Sequence, residues 1–101
     1  MIMAIIRMNV LSGKRMEFSQ TIASLSGSIR QEKGCKRCDF CRSIEDENKL
    51  FILEEWDTQG SLMTHLKSEH FSVLRGAMNF LQAPYERTFL TVFQSAEIEK
   101  I

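Results

Sequence analysis

The chain has 101 residues, 44% apolar and 26% charged, with thirteen Lys and Arg against thirteen Asp and Glu. That length suits one domain with a single modest core, taken as residues 1–101, and the even charge balance argues against nucleic acid as the main ligand. The opening MIMAII is too short to span a membrane, meets Arg7 at once, and lacks the basic start and cleavage site of an export signal. No membrane partner is therefore expected, and an odd number of cysteines in an unexported chain points to reduced thiols and a cytoplasmic location.

Residues 2–11, IMAIIRMNVL, are apolar and β-favouring and predict a strand, which SGKR turns. Between Lys14 and Lys33 the residues Phe18, Ile22, Leu25 and Ile29 recur at helical spacing, one face of an amphipathic helix, and Gly34 suits its C-cap. CKRCDFCRSIED alternates loosely, with Cys38, Phe40, Arg42 and Ile44 on one face if extended. EDEN reads as a turn, and KLFILEEWD is a strong strand, so the two strands predict a hairpin. Thr58 to Lys67 reads as a short helix with Leu62 and Leu66 inward. Phe71, Leu74, Met78 and Leu81 mark another helix, which Pro84 stops. ERTFLTVFQ predicts a last strand, with SAEIEKI as a tail.

The order βαββααβ is the split, ferredoxin-like arrangement, an α+β domain with helices on one face of an antiparallel sheet. On the third strand Leu50, Ile52, Glu54 and Trp56 point one way and Phe51, Leu53 and Glu55 the other. On the last strand Phe89, Thr91 and Phe93 oppose Leu90 and Val92. Both faces are largely apolar, so helices on one side leave the other side to be covered by a partner subunit or to line a ligand cavity. A homodimer is the simpler expectation, since apolar area stabilises only when removed from water.

The cysteines of GCKRCDFC have metal-like spacing, but no fourth cysteine or nearby histidine completes a set. On a regular strand Cys35 and Cys38 would face opposite sides, with Cα atoms roughly 10 Å apart. Three free thiols on a strand is the expectation, with no metal. His65 and His70, the only histidines, are five apart, about 140° on one helix, which disfavours a helical metal pair. In structural terms His65 would sit at a helix edge and His70 would cap the next helix; in functional terms either is a base suited to neutral pH. Trp56, the only tryptophan, ends the third strand either as a core ring or as a pocket wall. Glu54 and Glu55 lie on opposite faces and cannot act as a pair, but Glu54 shares its face with Trp56. Arg7 and Asn9 share a face of the first strand, as polar cavity lining or as edge residues.

The stretches EKGC before the second strand and FILEEWDTQGSLMTHLKSEHF, with Arg7 and Gly13 upstream, resemble the antibiotic biosynthesis monooxygenase family. The similar motifs are Gly34-Cys35, then Glu54-Glu55-Trp56, then Thr64 to Phe71. The resemblance implies a ferredoxin-like domain pairing into a dimeric α/β barrel. It also implies oxygenation of a small aromatic, such as a quinol or polyketide-like compound, without flavin or metal. His65 or His70 would be the base, with Trp56, Glu54, Ile52, Leu62, Arg7 and Asn9 around the substrate. Some members carry a tyrosine where this chain has Leu62. A heme-degrading branch uses an asparagine, a tryptophan and a histidine at positions that align with Ile6, His65 and Arg75, which speaks against heme degradation. The alternative function is a non-catalytic dimer that binds a small hydrophobic molecule, and a polar base inside the pocket would separate the two.

Overall fold

The computed structural model describes residues 1–92. Its elements are β1 (Ile2–Asn9), α1 (Arg15–Ile29), β2 (Cys35–Arg42), β3 (Lys49–Trp56), α2 (Gln59–Leu66), α3 (Glu69–Ala77) and β4 (Glu86–Thr91). Phe93 and the SAEIEKI tail lie outside the described residues. The strands form one antiparallel sheet in the order β2-β3-β1-β4, the ferredoxin-like α+β arrangement.

Register explains which side chains meet. Across the sheet, Cys38, Glu54, Ala4 and Phe89 form one row on the helix-covered face. Trp56, Ile2 and Thr91 form the next row, and Phe40, Ile52, Ile6 and Arg87 the one on its other side. Phe18, Ile22, Leu25 and Ile29 of α1 and Phe71 and Leu74 of α3 join this face in a single core. The opposite face carries Met3, Ile5, Phe51, Leu53, Cys41 and Leu90, which no helix covers. These side chains are half-buried or exposed in the single chain.

Several boundaries differ from the sequence expectation. The first strand stops at Asn9, and Val10 makes only an isolated bridge to Leu81. That bridge also ends the last helical stretch early, because Leu81 turns extended to pair with the end of β1. α3 therefore stops at Ala77, followed by a 3-10 turn, well before Pro84. Ile44 lies beyond the end of β2 in the β2–β3 turn, fully exposed, and does not share the face of Cys38 and Phe40. His70 does not cap α3: Ser68 does, its side chain accepting from the Phe71 amide.

Gly34 is not a helix C-cap either, since α1 ends at Ile29. The chain leaves α1 through tight turns, Glu32 N to Ile29 O and Cys35 N to Glu32 O. Gly34 closes them at φ +85°, a conformation that side chains disfavour. A Cβ there would collide with Ser61 and Asp57. Gly34→Ala is expected to destabilise the fold by about 1–3 kcal/mol, read as a lower urea midpoint with unchanged slope.

A bulge follows immediately. The β2–β3 register slips between Cys35 and Arg37, so Cys35 pairs with Trp56 while Cys38 pairs with Glu54. Cys35 and Cys38 therefore share the helix-covered face, contrary to the alternation of a regular strand, because one extra residue reverses the parity of the pleat.

Candidate functional site

A cluster of acid–base groups lies between the sheet and the helices. β3 supplies Glu54 and Trp56, two residues apart and therefore side by side. α2, capped by Thr58 on the Ser61 amide, starts three residues after the strand and lays His65 over them. Trp56, Glu54 and His65 are 0%, 2% and 1% exposed. The indole and imidazole rings stack at 4.7 Å, and Phe71 of α3 meets the imidazole edge-on at 5.7 Å.

The polar contacts run in a chain. Trp56 Nε1–H donates to Glu54 Oε1 at 3.0 Å. His65 Nε2 lies 3.7 Å from the same oxygen. On its other side His65 Nδ1 meets both oxygens of Glu32, at 3.1 and 3.0 Å. Glu32 Oε2 is in turn 3.1 Å from His70 Nδ1. With Glu32 as carboxylate, His65 Nδ1 carries the donating hydrogen and Nε2 is left as the basic lone pair. Among the described residues, His65 Nε2, Glu54 Oε2 and Arg87 Nη1 are buried side-chain atoms without a hydrogen-bond partner. Buried polar atoms of this kind are uncommon and set this cluster apart from the rest of the core.

Burial, more than any neighbour, raises the carboxyl pKa of Glu54; the Trp56 hydrogen bond and the charges of His65 and Arg87 pull the other way. The folded state thus holds this proton more tightly than the unfolded chain does. Its contribution to stability is full below the ordinary carboxylate range and is lost as pH rises through the raised value. Glu54→Gln keeps an acceptor for Trp56 and cannot ionise. Its melting temperature is expected to match the parent near pH 4 and exceed it progressively above that, checked by thermal melts across pH. A constant offset at every pH would contradict the assignment.

Above the row of Ile2 and Thr91 the helix layer is incomplete. A cavity of about 220 Å³ opens there, lined by Ile2, Leu62, Met63, Leu66, Phe89 and Thr91. Phe89 points toward the helices yet is 45% exposed, because it lines this mouth. None of Trp56, Glu54 and His65 lines the cavity: Trp56 pairs with the lining Ile2, and Glu54 is separated from the lining Phe89 by Ala4, so the acid–base cluster lies one layer behind the cavity wall. Arg87 lies over both Phe71 and Phe89, at 5.3 and 5.0 Å.

Of the residues singled out from sequence, Glu54, Trp56 and His65 come together, Leu62 lines the cavity, and His70, its side chain 40% exposed, meets Glu32 on the outer side of the cluster. His65 is buried rather than at a helix edge. Ile52 packs in the core and does not line the cavity. Arg7 and Asn9 are on the uncovered face of the sheet, opposite Phe51 and Lys49, because even steps from the inward Ala4 exclude odd positions. They do not reach this site. Glu32 and Arg87 were given no role from sequence. Arg87 had a signal, since it shares the face of Phe89, whereas nothing local in EKGC announces a carboxylate meeting a histidine 33 residues later.

Burial raises both thiols near the cluster, Cys38 to about 12. Cys35 and Cys38 border a separate cavity of about 260 Å³ with Arg30, Lys36, Arg37 and Asp39. Among the described residues no three His, Cys, Asp or Glu side chains converge to hold a metal, and no helix is long and apolar enough to cross a membrane.

A four-stranded antiparallel sheet in the order β2-β3-β1-β4, with a histidine buried under its helices, defines a ferredoxin-like α+β domain. The chain belongs to the antibiotic biosynthesis monooxygenase family, whose model matches residues 1–77. A conserved protein from Methanosarcina mazei shares 28% identity and a TM-score of 0.84, covering 88% of this chain and 89% of that one. A "putative antibiotic biosynthesis monooxygenase" from Deinococcus radiodurans has a TM-score of 0.90 at 17% identity, covering 99% of this chain and all of that one, a likeness of fold. A protein of Haloquadratum walsbyi named "Putative heme-binding protein" is 33% identical over 63 residues, 62% of this chain. The chain matches only 12% of the length of that relative.

Proposed function

We propose that this protein is a homodimeric, cofactor-independent monooxygenase acting on a small electron-rich aromatic such as a quinol or polyketide-like phenol. The observation that carries the reading is His65: buried, fixed at Nδ1 by Glu32, and presenting an unpartnered Nε2 beside Trp56. The aromatic ring occupies the cavity between α2 and the sheet. His65 Nε2 takes the hydroxyl proton, and the Glu32 carboxylate stabilises the imidazolium. The resulting phenolate is electron-rich enough to pass an electron to oxygen directly. A quinol plus O2 gives a hydroxyquinone plus water; the ring supplies all four electrons, one oxygen atom joins a ring carbon, and the other leaves in water. The protein's part is to hold the ring, move the proton and exclude bulk water.

The dimer completes this reading. The sheet face carrying Ile5, Phe51 and Leu53 is without cover, and a second copy placed against it would remove that apolar area from water. The decisive experiment is oxygen uptake with reduced naphthoquinols, with hydroxyquinone measured against the uncatalysed rate. Protein-dependent uptake with hydroxyquinone formation is expected; its absence across a panel of quinols would remove the catalytic reading.

A second reading is a non-catalytic dimer that binds a small hydrophobic molecule. Two observations favour it: the apolar lining of the cavity, and a relative whose name is "Putative heme-binding protein". Titration with hemin and with the same quinols, followed by Trp56 emission, would show saturable binding without turnover in that case.

A further inference from the structure

We propose that Glu32 and His70 form a proton outlet that connects the buried His65 to solvent. The use of this outlet in turnover rests on the monooxygenase reading; the outlet itself does not. The His65 side chain is 1% exposed. Its Nδ1 contacts Glu32, whose side chain is 17% exposed, and Glu32 contacts His70, 40% exposed. Burial thus decreases outward along a line of three titratable groups, each 3.0–3.1 Å from the next. Three segments supply them: the turn closed by Gly34, α2 and α3.

The chemistry fits the direction. A proton arriving at His65 Nε2 makes an imidazolium, which releases the other proton from Nδ1 to the Glu32 carboxylate. Glu32 passes it to His70 Nδ1 when that ring is the Nε2–H tautomer, and His70 Nε2–H then loses a proton to water. His65 therefore takes in a proton at one nitrogen and gives out a proton at the other without turning its ring, which the stack on Trp56 and the edge contact with Phe71 hold in place. Nε2 then gives its proton to the water that forms, and the line run in reverse returns a proton from solvent to Nδ1, so the base is reset and no proton is released overall, as quinol plus O2 to hydroxyquinone plus water requires. Glu32 contacts both rings, and the half-exposed His70 is the member of the line that hands the proton to water.

Glu54 of β3 faces His65 Nε2 and also feels the Glu32 charge, and Arg87 of β4 acts on Glu54. Cys35 of β2 feels both Glu54 and Glu32, and Arg30, just after α1, acts on Cys35. These groups bear on Glu32 as well as on His65, so the static titration is taken on each variant beside the relaxation.

Trp56 makes the test independent of any substrate. It is the only tryptophan and stacks on His65, so protonation of the imidazole quenches its emission. A laser-triggered pH jump, read at microsecond resolution, gives the rate at which His65 equilibrates with solvent, while a static titration gives its midpoint separately. Glu32→Gln is expected to slow the relaxation by about 100-fold and His70→Ala by about tenfold, since Glu32 keeps some direct exposure. Added imidazole should restore the rate in His70→Ala and leave Glu32→Gln slow, an effect that loss of structure would not produce. Unchanged rates in both variants, no rescue, or a Trp56 signal that does not titrate would overturn the outlet. Failure of quinol turnover with these relaxation effects intact would sink the monooxygenase reading and leave the outlet standing.

Discussion

His65→Asn is expected to lower turnover of a quinol by about 10²–10⁴-fold, the range that a positioned general base contributes. Asparagine places its amide nitrogen near the position of Nδ1, so the contact with Glu32 has a replacement, while Nε2 disappears. The loss should therefore appear in kcat, with KM much less affected, because the cavity walls Leu62 and Phe89 are untouched. A variant with parental kcat would move the base away from His65. Oxygen consumption together with chromatography of the hydroxyquinone product measures all of this.

Leu53→Arg is expected to dissociate the proposed dimer. Leu53 is central to the uncovered face, beside Ile5 of β1 and Asp39 of β2 in the register. Burying a guanidinium against a second apolar sheet, where the neighbouring Asp39 carboxylate is already paired with Arg37, costs several kcal/mol; about 4 kcal/mol corresponds to roughly a thousandfold weaker association. Light scattering during gel filtration should then give a particle of 11.7 kDa for the variant and twice that for the parent. Met16→Arg is the control, since Met16 lies on α1, 74% exposed and away from that face, and should leave the mass unchanged. A parent that runs as a single subunit would remove the dimer regardless of the variant.

The fold was legible because its pattern is local. The spacing of Phe18, Ile22, Leu25 and Ile29 is helical, and the alternation through Leu50, Ile52, Glu54 and Trp56 is that of a strand with one face buried. Alternation also placed Glu54 with Trp56 correctly relative to the sheet. It failed where the pleat is interrupted: between Cys35 and Arg37 an extra residue reverses the sides, and no composition marks it. The ends of helices were misplaced for a related reason. Leu81 continues the helical spacing but is drawn away to pair with Val10, a long-range contact with no local trace. The site was legible only in its inner half. His65 and Trp56 are conspicuous as rare residue types, whereas Glu32 is one carboxylate among many until the Gly34 turn brings it to the histidines.

The extra residue at the start of β2 does not decide where the preceding turn lies. Gly34, which closes the turn that holds Glu32, abuts the irregular stretch directly. Deleting Lys36 would leave Cys35 opposite Trp56 and Arg37 opposite Glu55 as an unbroken ladder, with the preceding turn on the same side of the sheet. The added residue is therefore dispensable for pairing, and a chain one codon shorter would keep the Glu32 carboxylate on the side of the imidazole.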